Sequence, residues 1–178
     1  MKIKILHNLL EQINSLYSEL TGHYQTLLGN TQQITEITAK LDFKGENQNA
    51  VDSVLSALLE TLGHRQKAME QVDTVKIDIQ PLEAGVEEIL HLQSFDLAKI
   101  IQMSSTPVAH QLAEKQQEIT ELLLKITHLD QTNQKHLVEK IGEVRQELNR
   151  IHQGKVAKTG YELSSSNPSE SRFLDKRE

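Results

Sequence analysis

Cysteine and tryptophan are absent from this chain, and only three prolines, eight glycines, three tyrosines and three phenylalanines occur among its 178 residues. Without cysteine there is no disulfide, no zinc ribbon and no thiol nucleophile. So few turn-forming residues exclude a many-stranded protein, whose hairpins need Gly, Pro or Asn at special backbone angles. With aromatics at 3%, the core has to be assembled from Leu, Ile and Val. That composition favours helices meeting along narrow seams over a sandwich or barrel. No stretch approaches the ~20 apolar residues of a membrane-spanning helix. The opening Met1-Lys2-Ile3-Lys4-Ile5-Leu6 meets Asn8, Glu11 and Gln12 too soon to read as a signal peptide. A soluble, cytoplasmic chain is expected.

The formal charge is −6, and residues 46–105 carry all of it, with ten acids against four bases. An acidic middle argues against nucleic acid, whose binders cluster Lys and Arg on one face. It reads as ordinary solubility chemistry, although it would also suit a basic partner.

What the chain does contain is helical periodicity. Sevens counted from Leu6 give Ile13, Leu20, Leu27, Ile34 and Leu41, with companions at Leu9, Leu16, His23, Asn30 and Ile37. Positions three and four apart share one helical face, so this stripe predicts a first helix over about 3–41, weakened near Gly29-Asn30 and ended near Gly45. A second helix, about 49–75, carries Val51, Leu55, Leu58, Leu62, Met69 and Val72, with Arg65 where the seam would continue. A third is expected behind Pro81, over about 82–103, because proline is tolerated in a first turn and not in a helix middle. Ser104-Ser105-Thr106-Pro107 is the clearest break, a cap followed by a helix-opening proline.

The fourth helix, about 107–153, has the seam Ile119, Leu122, Ile126, Leu129, Leu137, Ile141, Val144, Leu148 and Ile151. Around Asn133 the steps become 3, 4, 4 and 4, a stutter that redirects the stripe. His23, Asn30 and Asn133 on otherwise apolar seams are either register devices or positions that reach solvent. The expected fold is therefore all-α: an antiparallel helical bundle or coiled coil of about four long helices over residues 1–153, then a disordered polar tail over 154–178.

Chemistry-bearing constellations are sparse. Glu88-Ile89-Leu90-His91 matches one half of a di-iron Glu-x-x-His element, but no other histidine has a Glu three positions before it. Half a motif cannot complete a coordination shell, so the pair reads as structural, and no metal, cofactor or catalytic residue is assigned. No phosphate loop, nucleophile elbow or His-Glu-x-x-His occurs, so the chain is not expected to be an enzyme.

The tail is too polar to offset its ordering entropy alone. Tyr161, Phe173 and Leu174 stand out in it as apolar anchors that would dock on binding, against the alternatives of a solubilising terminus or a segment folding back on its own bundle. The stripe Leu137, Ile141, Val144, Leu148 and Ile151, after the stutter and next to the tail, is the candidate partner-binding face.

Several segments together resemble the FlgN family of flagellar type III export chaperones. They are the amphipathic first helices, Leu58-Leu59-Glu60 with Arg65-Gln66, and the junction Asn149-Arg150-Ile151-His152-Gln153-Gly154-Lys155. Tyr161, a Ser-rich spacer and Arg172-Phe173-Leu174-Asp175-Lys176-Arg177 complete the likeness. The resemblance implies a cytoplasmic helical chaperone with no catalytic residue or cofactor. Such a chaperone would hold hook–filament junction (hook-associated) proteins through their carboxy-terminal helical segments and hand them to the export apparatus. Leu59-Glu60 and His64-Arg65-Gln66 are also similar to the filament-cap (FliT-like) type. A self-associating structural coiled coil, with homodimers and no client, is the alternative from another class.

Overall fold

The computed structural model describes residues 2–41, 48–104 and 106–165, with side chains for 3–41, 51–104 and 106–154. They form four helices and, among the described residues, no strand: α1 Lys2–Lys40, α2 Gln48–Leu90, α3 Leu97–Ser104 and α4 Pro107–Ser165. The all-α expectation holds. Two compact units divide the chain, Met1–Leu137 and Val138–Glu178.

In the first unit α1, α2 and the beginning of α4 run up, down and up. Leu6, Leu10 and Ile13 share one core with Val86, Leu97, Ile100, Ala109 and Leu112. Leu20, Tyr24 and Leu27 share the next with Ala68, Val72, Val75, Ile79, Ile119, Leu122 and Ile126. The pairing of low α1 numbers with high α2 numbers makes those two antiparallel, whereas α4 ascends beside α1. A cross-link at each level confirms this, as Gln25 Nε2 donates to Glu118 at 3.1 Å and Asn133 Nδ2 to the Thr31 carbonyl at 3.1 Å.

The sevens counted from Leu6 are all buried, but their closest companions lie four residues on, at Leu10, Tyr24, Thr31 and Thr38. Leu9, Leu16, His23, Asn30 and Ile37 are half-buried flanks instead. Threonine reads as polar in a sequence, yet in a helix its hydroxyl can bond the carbonyl one turn back and bury the methyl. Thr31 Oγ1 donates to Leu27 O and Thr38 Oγ1 to Ile34 O, both at 2.8 Å, and both side chains are fully buried. α1 accordingly passes through Gly29-Asn30 without a break. The expected cap at Gly45 lies outside the described residues.

α2 is one helix through Pro81, not two. Pro81 and Ile77, whose carbonyl the proline cannot satisfy, both sit on the exposed face, where water can take that acceptor. Its core face is Leu58, Thr61, Ala68, Val72, Val75, Ile79 and Val86, while Leu55, Leu62 and Met69 turn outward. The helix ends at His91, whose φ of 54° is left-handed, and Leu92 N donates to Glu87 O at 3.0 Å. That 6→1 bond is a Schellman closure, with Leu92 packing back against the lower core. His91 therefore terminates α2 and does not project from the helical face that a Glu88–His91 pair would need.

Asp96 Oδ1 accepts from Ala98 N at 3.1 Å and Lys99 N at 3.2 Å, capping α3. The break before Pro107 falls where the sequence put it. α4 continues through Gly154 to Ser165, so the expected start of the tail lies within a helix, and 166–178 lie outside the described residues.

Candidate partner-binding surface

Helix α4 changes character at Asn133. Upstream, Ala109, Leu112, Ile119, Leu122 and Ile126 are buried at core spacing, and Asn133 continues that row at 4% exposure. Continued by threes and fours, the row reaches His136, Lys140, Glu143 and Glu147, all polar. The apolar residues step aside by one position, to Leu137, Ile141, Val144, Leu148 and Ile151. One residue is about 100° around a helix, so these apolar residues lie beside, and not on, the polar row His136, Lys140, Glu143 and Glu147.

That face is open. Ile141 is 51% exposed, Leu148 60% and Ile151 47%, with Val138 beside them at 63%. Leu137 and Val144 are half-buried. Within the second unit the charged neighbours pair along the helix, Lys140 with Glu143 at 3.3 Å and Arg150 with Glu147 at 3.8 Å. Such local pairs at a partly exposed surface contribute little. Tyr161 falls in α4, but its side chain, like Phe173 and Leu174, is outside the described residues.

The stutter has a counterpart in a polar layer across the first unit. Arg65, on the core face of α2, donates from its Nη2 to Asp130 Oδ2 at 2.6 Å and from Nε to Thr31 Oγ1 at 3.3 Å. Asn133 binds the Thr31 carbonyl, while among the described residues no donor reaches its buried Oδ1. The layer thus joins all three long helices at one level. Sequence periodicity marked Arg65 and Asn133 as seam interruptions; that Asp130 faces Arg65 carries no local signal.

A second feature is a groove of about 390 Å³ lined by Tyr17, Tyr24, Lys76, Glu83, Ile119 and Leu123, among others. Tyr17 Oη donates to Glu83 Oε1 at 3.2 Å. Burial, reinforced by the Glu83 charge and hydrogen bond, pushes the Tyr17 phenol up to about 12. Burial also raises the Glu83 carboxyl above its ordinary range, with Glu87 adding to the rise and the Tyr17 hydrogen bond opposing it. Lys76 lies 5.7 Å from the Tyr24 ring centroid. The sequence offered no cue to this site, since Tyr17 and Glu83 are 66 residues apart.

Among the described residues no group of three or more His, Asp or Glu side chains could hold a metal ion, and no helix is long and apolar enough to cross a membrane. Compared with family models, with curated proteins and with solved structures, the chain matches none.

Proposed function

We propose that this protein is a non-enzymatic, cytoplasmic export chaperone of the flagellum, which holds hook–filament junction proteins through the α4 stripe until export. The observation that carries the reading is the apolar row Leu137, Ile141, Val144, Leu148 and Ile151, of which Ile141, Leu148 and Ile151 are exposed and Leu137 and Val144 half-buried. An exposed, evenly spaced apolar face on a helix fits the helix-in-groove or helix-on-helix mode, in which a client lays its own apolar face along it. The resemblance of the segment from Asn149 to Lys155 and of the terminal Arg172–Arg177 to the flagellar chaperones names the class of client. Tyr161, Phe173 and Leu174 would then extend the contact beyond the stripe.

Masking a client's apolar surface requires binding and no chemistry, a task for which the sequence needs no nucleophile elbow, phosphate loop or cofactor motif. Co-purification with junction and cap proteins tests the reading. Ile141→Glu and Leu148→Glu are expected to abolish capture of the junction protein while leaving the helical circular-dichroism signal intact. Capture of the cap protein alone would move the assignment to the filament-cap type. Loss of helix in those variants would make the stripe part of the core and sink the proposal.

A further inference from the structure

The apolar row on α4 has heptad spacing, stepping 4, 3, 4, 3 from Leu137 to Ile151. In coiled-coil terms Ile141 and Leu148 occupy a positions, and Leu137, Val144 and Ile151 occupy d. The flanks follow: Lys140 and Glu147 lie on the g edge, and Val138, Arg145 and His152 on the e edge. We propose that a second copy of this chain covers the row, forming an antiparallel coiled coil centred between Ile141 and Val144. This concerns the same face as the client reading but needs no client.

Charge selects that arrangement over its rivals. A parallel, in-register pair brings Lys140 of one copy against Arg145 of the other twice, since g meets the next e. An antiparallel pair centred between Val144 and Leu148 stacks Ile141 on Ile151, but sets Glu147 near Glu147 and Arg145 near Arg145. Sliding by one heptad, with Ile141 opposite Val144 and Leu137 opposite Leu148, keeps four apolar layers. It also places Lys140 opposite Glu147 on both edges related by the two-fold axis. Apolar layers are similar in the competing registers, so the flanking charges decide, as they do for partner choice in coiled coils generally. The contact is isologous, each copy offering and receiving the same patch, and so it closes as a dimer. The present bonds of Lys140 and Glu147, to Glu143 and Arg150, are local ones within one helix at 3.3 and 3.8 Å, which pairing between copies would replace.

The test uses the full chain and sedimentation equilibrium over a range of concentrations. The wild type is expected to reach twice the chain mass. Glu147→Lys alone sets like charges against each other in both antiparallel registers, leaves Lys140 against Arg145 in the parallel one, and raises the dissociation constant on the order of tenfold. The combined Lys140→Glu/Glu147→Lys chain regains the dimer, and the cysteine pairs below, placed in the same background, show that it is antiparallel. The double variant does not repair the contacts to Glu143 and Arg150, so recovery reports the bond between copies and not helix stability. Orientation has its own readout, because the chain has no cysteine. An oxidised mixture of Ile141→Cys and Val144→Cys chains gives the mixed disulfide, whereas a parallel pair would link each variant to itself. A wild type that stays monomeric at every concentration, a double variant that does not recover, or self-linked disulfides would each overturn the proposal. A monomer that still captures a junction protein removes the self-pairing and leaves the chaperone reading standing. A dimer that captures no client does the reverse.

Discussion

Asn133 is a buried polar side chain whose replacement by leucine is expected to stabilise the protein. It is 4% exposed, with Nδ2 on the Thr31 carbonyl and, among the described residues, no donor for Oδ1. Leucine branches at the same atom, so Asn133→Leu puts a somewhat bulkier apolar side chain in the site. It forfeits one hydrogen bond with a net value of ~1 kcal/mol. The Thr31 carbonyl is not orphaned, because Thr35 Oγ1 also donates to it at 3.1 Å. Against that loss stand the relief of a buried acceptor, ~1–3 kcal/mol, and burial of an apolar side chain, ~1.5–3 kcal/mol. The balance favours Leu by about 1.5–5 kcal/mol before any strain from imperfect packing. Asn133→Ala loses the hydrogen bond and leaves a void, and is expected to cost ~1–2 kcal/mol. Urea denaturation followed by circular dichroism separates the two: the midpoint rises for Leu and falls for Ala at unchanged slope. A Leu variant less stable than wild type by 1 kcal/mol or more would refute the accounting. It would show that the polar layer contributes net stability and not only register.

Leu10→Ala, at a site with no exposure, should cost ~2–5 kcal/mol, whereas Leu148→Ala, 60% exposed, should stay within about 0.5 kcal/mol; equal losses would erase the distinction between core and stripe. Because the Glu83 carboxyl is raised in the folded state, folding there favours the protonated acid. Stability attributable to Glu83 is therefore complete below its unfolded value and falls as pH rises from there through the folded value, so Glu83→Gln should stabilise the protein at neutral pH and flatten the profile. Tyr17 should ionise at about 12, seen by ultraviolet titration as a phenol step that Tyr17→Phe removes, and its ionisation should draw down stability between its ordinary value of 10 and that point. Asp96 is held below the usual carboxylate range chiefly by the Lys99 amide, so its capping contribution is present above the ordinary value and fades as pH falls through the lowered one. Asp96→Ala should speed amide exchange at Ala98 and Lys99 while leaving exchange in α1 unchanged.

The helical class was legible because the chain lacks what strands and turns require, and because Leu6 through Leu41 recur in sevens. The companion positions were not, since Thr31 and Thr38 satisfy their hydroxyls inside their own helix and then behave as small apolar groups. Pro81 misled for a related reason: its cost depends on which face carries it, and that is a tertiary fact. The stutter at Asn133 did mark where the buried row of α4 turns polar. The Arg65–Asp130 bond and the Tyr17–Glu83 pair could not be found by period, because each joins helices whose relative rotation only the packed core determines.

The polar layer also bears on the order in which the bundle can assemble. The Arg65–Thr31 bond spans 34 residues of chain, while Tyr17–Glu83 spans 66 and Asn133–Thr31 spans 102. Loop-closure entropy grows with the span, so the α1–α2 hairpin meets its directional contact before most of its apolar ones. Leu, Ile and Val rows repeating every seven residues are satisfied almost equally well one heptad out of step. A guanidinium that must find one hydroxyl is not. Placed near the closed end of the hairpin, Arg65 acts as a checkpoint: a slipped alignment is penalised while it is still short and easily undone, before the long apolar seam makes it slow to reverse.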